Sequence, residues 1–232
     1  MSTMPLSEMR DALRWDLENN GTLTPAQLNR WINWSYLHIS QPNIHPHQSL
    51  QATGTVPLVL DQVEYPLTGL GFVLWGVYSC TYIKGTTVAP TNYRRRLKGG
   101  GDIRWLDAQF ASSGEPSSYA VWGGAAGGQT LHINARPSSG VVGNLLLIRG
   151  YKQPTLLAAD TDKTVMHDLW DEAILLGARW RGWRSLTRPE RAEIARVEFG
   201  LQVNEIQNAL KLDASDWGGR FEIDMQPYMQ EQ

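Results

Sequence analysis

The chain of 232 residues contains a single cysteine, Cys80. One thiol excludes an intramolecular disulfide framework and any zinc site built on cysteine pairs, and it fits folding in a reducing cytoplasm. Long apolar runs are missing as well. No window approaches the ~20 apolar residues that a membrane helix needs, and the N-terminus MSTMPLSEMR has no apolar signal core. There is no surplus of positive charge: 21 Lys and Arg stand against 23 Asp and Glu, a formal net charge of -2. A generic polyanion binder is normally basic. Catalytic signatures are absent too, with no Gly-x-Ser-x-Gly elbow and no His-Glu-x-x-His pair. The clusters Gly99-Gly100-Gly101 and Gly123-Gly124-Ala125-Ala126-Gly127-Gly128 match neither a phosphate loop nor a dinucleotide fingerprint; the second reads as a hairpin turn. Cys80 lies in an apolar stretch and reads as a small core residue. No catalytic residue, cofactor or metal is therefore expected.

What the chain does have is helical periodicity at both ends and strand periodicity between them. Leu6, Met9, Leu13 and Leu17 recur at helical spacing, with Trp15 on the far side, and Asn19-Asn20-Gly21 ends the stretch. Thr24 then caps a second helix with Pro25 at its first position. Its buried line is Leu28, Ile32, Ser35 and Ile39, flanked by Trp31 and Tyr36. The prolines and polar residues of 41–47 read as a solvated loop, in which His45 and His47 have no acidic or cysteine partner nearby for a metal.

From Gln48 onward the period becomes that of strands. The run Phe72–Ile83 is nearly continuously apolar and reads as a central strand. Leu131, Ile133 and Ala135 alternate with Thr130, His132, Asn134 and Arg136, a half-buried strand that turns His132 outward. Shorter candidates are Ser49–Thr53, Pro57–Leu60, Glu64–Thr68, Ser118–Trp122 and Asn144–Tyr151, and Asp102 is placed to cap a short helix, Ile103–Phe110. Such a set of short strands split by Gly and Pro predicts an antiparallel sandwich or small barrel.

Two long helices follow between Asp162 and Leu210. The first carries Val165, Leu169, Ala173, Leu176, Trp180 and Trp183 on one face, widened by Met166, Trp170, Ile174 and Gly177; Asp160 and Asp162 flank its start as caps. The second has Thr187 as N-cap, Pro189 in its first turn and Glu190 completing a capping box. At about 100° per residue this helix shows two opposed apolar faces. Ile194, Val197 and Leu201 lie on one. Ala195, Phe199, Val203, Ile206 and Leu210 lie on the other. A monomer's surface helix needs only one such face, so two predict a helix held between its own domain and another domain or another subunit, with Phe199, Val203, Ile206 and Leu210 assigned to inter-subunit packing.

The expected fold is α+β: a helical bundle formed by the N- and C-terminal helices, an inserted antiparallel β-domain, and an extended C-terminal arm. The boundaries are 1–40 and 162–211 for the bundle, 48–152 for the insert and 212–232 for the arm. In that last stretch Trp217, Phe221 and Tyr228 stand among glycine and acidic residues without a sustained period, a composition that suits either a free tail or an arm ordering on a partner. The densest basic run is Arg94-Arg95-Arg96 with Lys98, beside Tyr93. It could touch phosphates or the acidic residues of a neighbour, or form a solvated loop.

In order and texture the chain resembles the head-to-tail adaptor (connector or head-completion) proteins of tailed bacteriophages. The residues that carry this are Leu23-Thr24-Pro25-Ala26-Gln27-Leu28-Asn29-Arg30-Trp31-Ile32-Asn33 near the start, and Ser113–Val121 with Leu131–Pro137 in the middle. Then come Tyr151-Lys152-Gln153-Pro154, and Asp160-Thr161-Asp162 leading into Leu169–Ala178. The resemblance implies a ring of twelve copies docked beneath the portal, extending the DNA channel and offering its lower rim to a tail component (nozzle, stopper or tail-tube protein). It implies a virion protein at the head–tail junction, made in the host cytoplasm, with no active site and no sequence-specific hold on the DNA that passes through. It also implies that the C-terminal arm inserts against the portal, with Trp217, Phe221 and Tyr228 as anchors. The rival from a different class is a β-sandwich module for carbohydrate or nucleic acid on a helical base, in which Trp105 and Trp122 would stack sugars or bases.

Overall fold

The structure, a computed structural model, describes residues 3–18, 22–89, 91–99, 112–123 and 128–216. It is α+β and divides into two compact units: a helical unit from Met1–Ser49 and Pro154–Gln232, and a β unit, Leu50–Gln153.

The helical unit contains α1 (Leu6–Asp16), α2 (Pro25–Ile39), α3 (Leu169–Ser185) and α4 (Pro189–Asp216). α1 and α2 form as their spacing predicts. Leu6, Met9 and Leu13 are buried on α1, and Leu28, Trp31, Ile32, Ser35, Tyr36 and Ile39 on α2, while Trp15 faces solvent. Thr24 closes a capping box with Gln27, its hydroxyl accepting from the Gln27 N–H. One core joins all four helices, with Trp170, Ile174, Ala178 and Trp183 of α3 at its centre. Glycines set how closely the helices approach. A Cβ on Gly182 would sit 2.8 Å from Leu17, and one on Gly177 would collide with the Ser35 hydroxyl. The strand-like segment before α3 returns to the N-terminus, where Leu6 N–H donates to the Asp162 carbonyl (2.8 Å) and Ser7 N–H to that of Asp160 (3.1 Å).

Three sequence expectations change here. α3 begins at Leu169, seven residues after Asp162; Trp170, Ala173, Ile174, Gly177 and Trp183 are buried on it and Met166 is buried just ahead of it, whereas Val165 and Leu169 of the expected face are exposed. Asp162 does not cap it: its carboxylate accepts from the Ala158 and Ala159 N–H groups (2.7 and 2.8 Å), which hold its pKa below the usual carboxylate range. Thr187 is not an N-cap either. It adopts the left-handed conformation (φ 56°) that ends α3, while Arg188 N–H donates to Trp183 O and Thr187 N–H to Arg184 O. That is a Schellman ending with threonine where glycine is usual.

In the β unit one four-stranded sheet has the order β1 (Gln51–Pro57), β10 (Leu145–Lys152), β3 (Leu74–Ile83), β4 (Arg94–Arg96), all antiparallel. A second has β2 (Glu64–Pro66), β8 (Thr130–Asn134), β7 (Ser118–Trp122), β5 (Lys98–Gly99), with β5 parallel to β7. A third pair, β6 (Ser113–Gly114) with β9 (Arg136–Pro137), is parallel. The two larger sheets share a core of Cys80, Tyr82, Leu146 and Ile148 from the first and Tyr65, Tyr119, Leu131 and Ile133 from the second. This is a sandwich in which alternate residues point inward.

The first candidate strand runs on as β1 to Pro57, because Gly54 pairs in register with Ile148 and leaves room for the Leu70 side chain, 2.6 Å from where a Cβ would stand. Residues 58–60 of the expected strand Pro57–Leu60 form none. The stretch expected as the strand Glu64–Thr68 pairs only as far as Pro66 and then turns into a 3₁₀ helix, Leu67–Leu70. His132 is buried, not outward: β8 is an interior strand covered on both faces. β7 and β8 pair up to Trp122↔Thr130, as a hairpin across the glycine cluster requires. The expected helix Ile103–Phe110 lies outside the described residues.

Candidate assembly surfaces

α4 is the element on which the two apolar faces can be compared. Ala195, Phe199 and Ile206 are buried, and Val203 and Leu210 pack partly buried against the same helical core. The Phe199 ring lies 6.0 Å from His38 of α2 and 6.1 Å from Trp180 of α3. The stripe Phe199, Val203, Ile206 and Leu210, expected between subunits, is thus occupied by the protomer's own core. The other face remains free. Ile194, Val197 and Leu201 are 59%, 48% and 65% exposed. The longer stripe is the core one because α3 packs along the helix, and that difference in length was the signal available in the sequence.

Charge on the free face is one-sided. Arg191 pairs with Glu18 and covers the Trp183 ring (4.8 Å), and Arg196 pairs with Glu193 (2.6 Å). Glu198 pairs with Arg179 of α3. Glu190 and Glu205 meet no cation among the described residues. Glu205 also borders a shallow cleft between the start of α3 and the middle of α4, lined by Asp168, Leu169, Glu172, Gln202 and Ile206. Leu169 is exposed there, and Glu172 accepts a long hydrogen bond from Gln202 (3.4 Å). The surface is apolar with an acidic border.

The basic run forms β4, at the edge of the first sheet. Arg95 turns inward, pairs with Glu115 (3.7 Å), lies over the Tyr82 ring (5.8 Å) and donates to the Pro116 carbonyl. Arg94 and Arg96 point the other way and are exposed, Arg94 donating to the Ala89 carbonyl at 3.1 Å. Neither they nor Lys98 meet a carboxylate among the described residues.

The remaining candidates for chemistry are structural. The loop 41–47 is irregular as expected, yet His47 is buried, not solvated: its Nε2 lies 3.2 Å from the Ile39 carbonyl oxygen, and its ring and that of His45 flank Trp170. Burial pushes the His47 pKa down to about 4, helped by the neighbouring His45. Burial also pushes the Cys80 thiol up to about 12, so it is no nucleophile. Among the described residues no three His, Cys, Asp or Glu side chains form a metal cluster, and no helix is long and apolar enough to cross a membrane. Trp122 is exposed on β7 with its ring 5.8 Å from His132. Trp105, Trp217, Phe221 and Tyr228 lie outside the described residues.

Comparison with curated proteins gives no match. A family model described as SU10 adaptor protein matches residues 4–223, spanning the helices at both ends and the whole β unit between them. On that match, and in keeping with the resemblance its sequence carries, the chain belongs to the SU10 adaptor protein family and is a structural adaptor of a bacteriophage virion.

Proposed function

We propose that the protein forms a ring of twelve copies between the portal and the tail, extends the DNA channel across the head–tail junction, and has no enzymatic activity. The family supports the adaptor role. The observation that carries self-assembly is the outward face of α4. Ile194, Val197 and Leu201 keep large apolar side chains in water although the opposite face already supplies everything the protomer's core uses. An apolar ridge of this kind marks an interaction site. The helical unit builds the ring, the C-terminal residues Trp217, Phe221 and Tyr228 anchor it to the portal, and the far rim receives a nozzle, stopper or tail-tube protein. DNA slides through without sequence-specific contacts. The protein is made in the host cytoplasm and resides at the head–tail junction of the virion.

The test is co-sedimentation with the portal encoded in the same genome, at low and moderate salt, followed by negative-stain imaging. A ring added to one end of the portal is the expected result. No association at either salt would overturn the reading and leave the carbohydrate or nucleic-acid module as its replacement, to be taken up with ligand arrays.

A further inference from the structure

Symmetry and charge together indicate what the α4 ridge meets. In a ring each copy contacts the next head to tail, so the contact joins two different patches. Ridge against ridge would also set Glu190 and Glu205 against their own copies, and like charges across an interface cost several kcal/mol. The matching patch must be apolar and cationic.

The chain is divided in that sense. Residues 50–153 hold nine Lys and Arg against five Asp and Glu, a net of +4, whereas the two segments of the helical unit hold 12 against 18, a net of -6. Within the β unit the segment joining β3 to β4 exposes Val88 (43%) and Tyr93 (55%), and β4 follows with Arg94 and Arg96 uncompensated. Cations on an edge strand also discourage strand pairing, but that role requires neither exposed Val88 nor exposed Tyr93. Contact with nucleic acid would use the cations and leave the two apolar side chains in water.

We propose that Val88, Tyr93, Arg94 and Arg96 of one copy dock on the Ile194–Leu201 ridge of the next, the arginines facing Glu172 and Glu205 at the adjoining cleft. The proposal rests on the ring reading and names its contact. It is tested with two charge-reversed variants, Arg94→Glu/Arg96→Glu and Glu172→Arg/Glu205→Arg, each first matched to wild type in circular dichroism and melting. Portal-bound protein is then measured by sedimentation and imaging. Each variant alone is expected to bind at least tenfold less. A one-to-one mixture is expected to recover, because alternating subunits again oppose unlike charges. Assembly of Arg94→Glu/Arg96→Glu at wild-type level would overturn the pairing, including the case in which its particles lose DNA retention. So would two defective variants that fail to rescue each other. A wild-type protein that adds no ring would instead defeat the function proposed above, a separable result.

Discussion

Trp170 is fully buried, and the loop 41–47 closes over it through two imidazoles, with ring centroids 5.3 Å away for His45 and 5.0 Å for His47. His47 is held neutral there, since burial lowers its pKa from 6.5 to about 4. The unfolded chain takes up a proton near pH 6.5, whereas the folded chain does so only near pH 4. Stability from this site is therefore complete above the unfolded value and falls as the pH drops between the two. The shift corresponds to about 3 kcal/mol. Asp171 works in the opposite sense. Burial raises its carboxyl pKa although Met4 N–H (2.6 Å) and the Thr164 hydroxyl (3.2 Å) donate to it, so acid relieves a penalty at that position. A comparison of variants separates the two groups. Between pH 7 and pH 4, wild type should lose up to about 3 kcal/mol relative to His47→Phe in urea unfolding. Parallel pH profiles for the two proteins would show that His47 does not carry the acid sensitivity.

At the scale of elements, α4 makes opposite demands on its two faces. Phe199 is 7% exposed in the helical core, so Phe199→Asp should unfold the protomer; truncating such a ring alone costs about 3–5 kcal/mol. Leu201→Asp, on the free face, should change stability by no more than about 0.5 kcal/mol yet abolish ring formation on the portal. Melting and portal sedimentation run on both variants check this, and a Leu201→Asp protein that still builds rings would remove the ridge from the interface. The same helix marks the boundary of what periodicity could reveal. α1 and α2 were legible because each has one apolar face, and a single face must turn to the core. α4 displayed both of its stripes in the sequence, but burial depends on which neighbours arrive, and periodicity does not encode them. β8 failed for a related reason. His132 and Asn134 alternate with Leu131 and Ile133 as on a half-exposed strand, yet in β8 both sets are buried. Thr187 was misread because a β-branched residue is uncommon at a left-handed helix end, where its Cβ is crowded.

For the whole molecule, the β unit is an insertion between α2 and α3, and the order helices, strands, helices was legible because the apolar period changes twice along the chain. The family match has the same extent and continues past α4 to residue 223, taking in Trp217 and Phe221. Among the described side chains, Leu210 is the last of α4 to pack on the helical core. Folding and portal attachment should therefore be separable by truncation. A chain ending at Asp216 keeps the whole of α4 and every core side chain found among the described residues, so its melting temperature should match wild type to within a few degrees. If the last sixteen residues supply the anchor, this protein should not co-sediment with the portal, even with the α4 ridge and the β4 edge intact. A synthetic peptide of residues 217–232 should in turn compete with the full-length protein for portal. Shortened protein recovered on portals at wild-type yield would place the anchor elsewhere in the helical unit. Loss of binding by the shortened protein without peptide competition would mean that the tail acts only when the ring presents many copies together, since linked weak contacts gain from effective concentration.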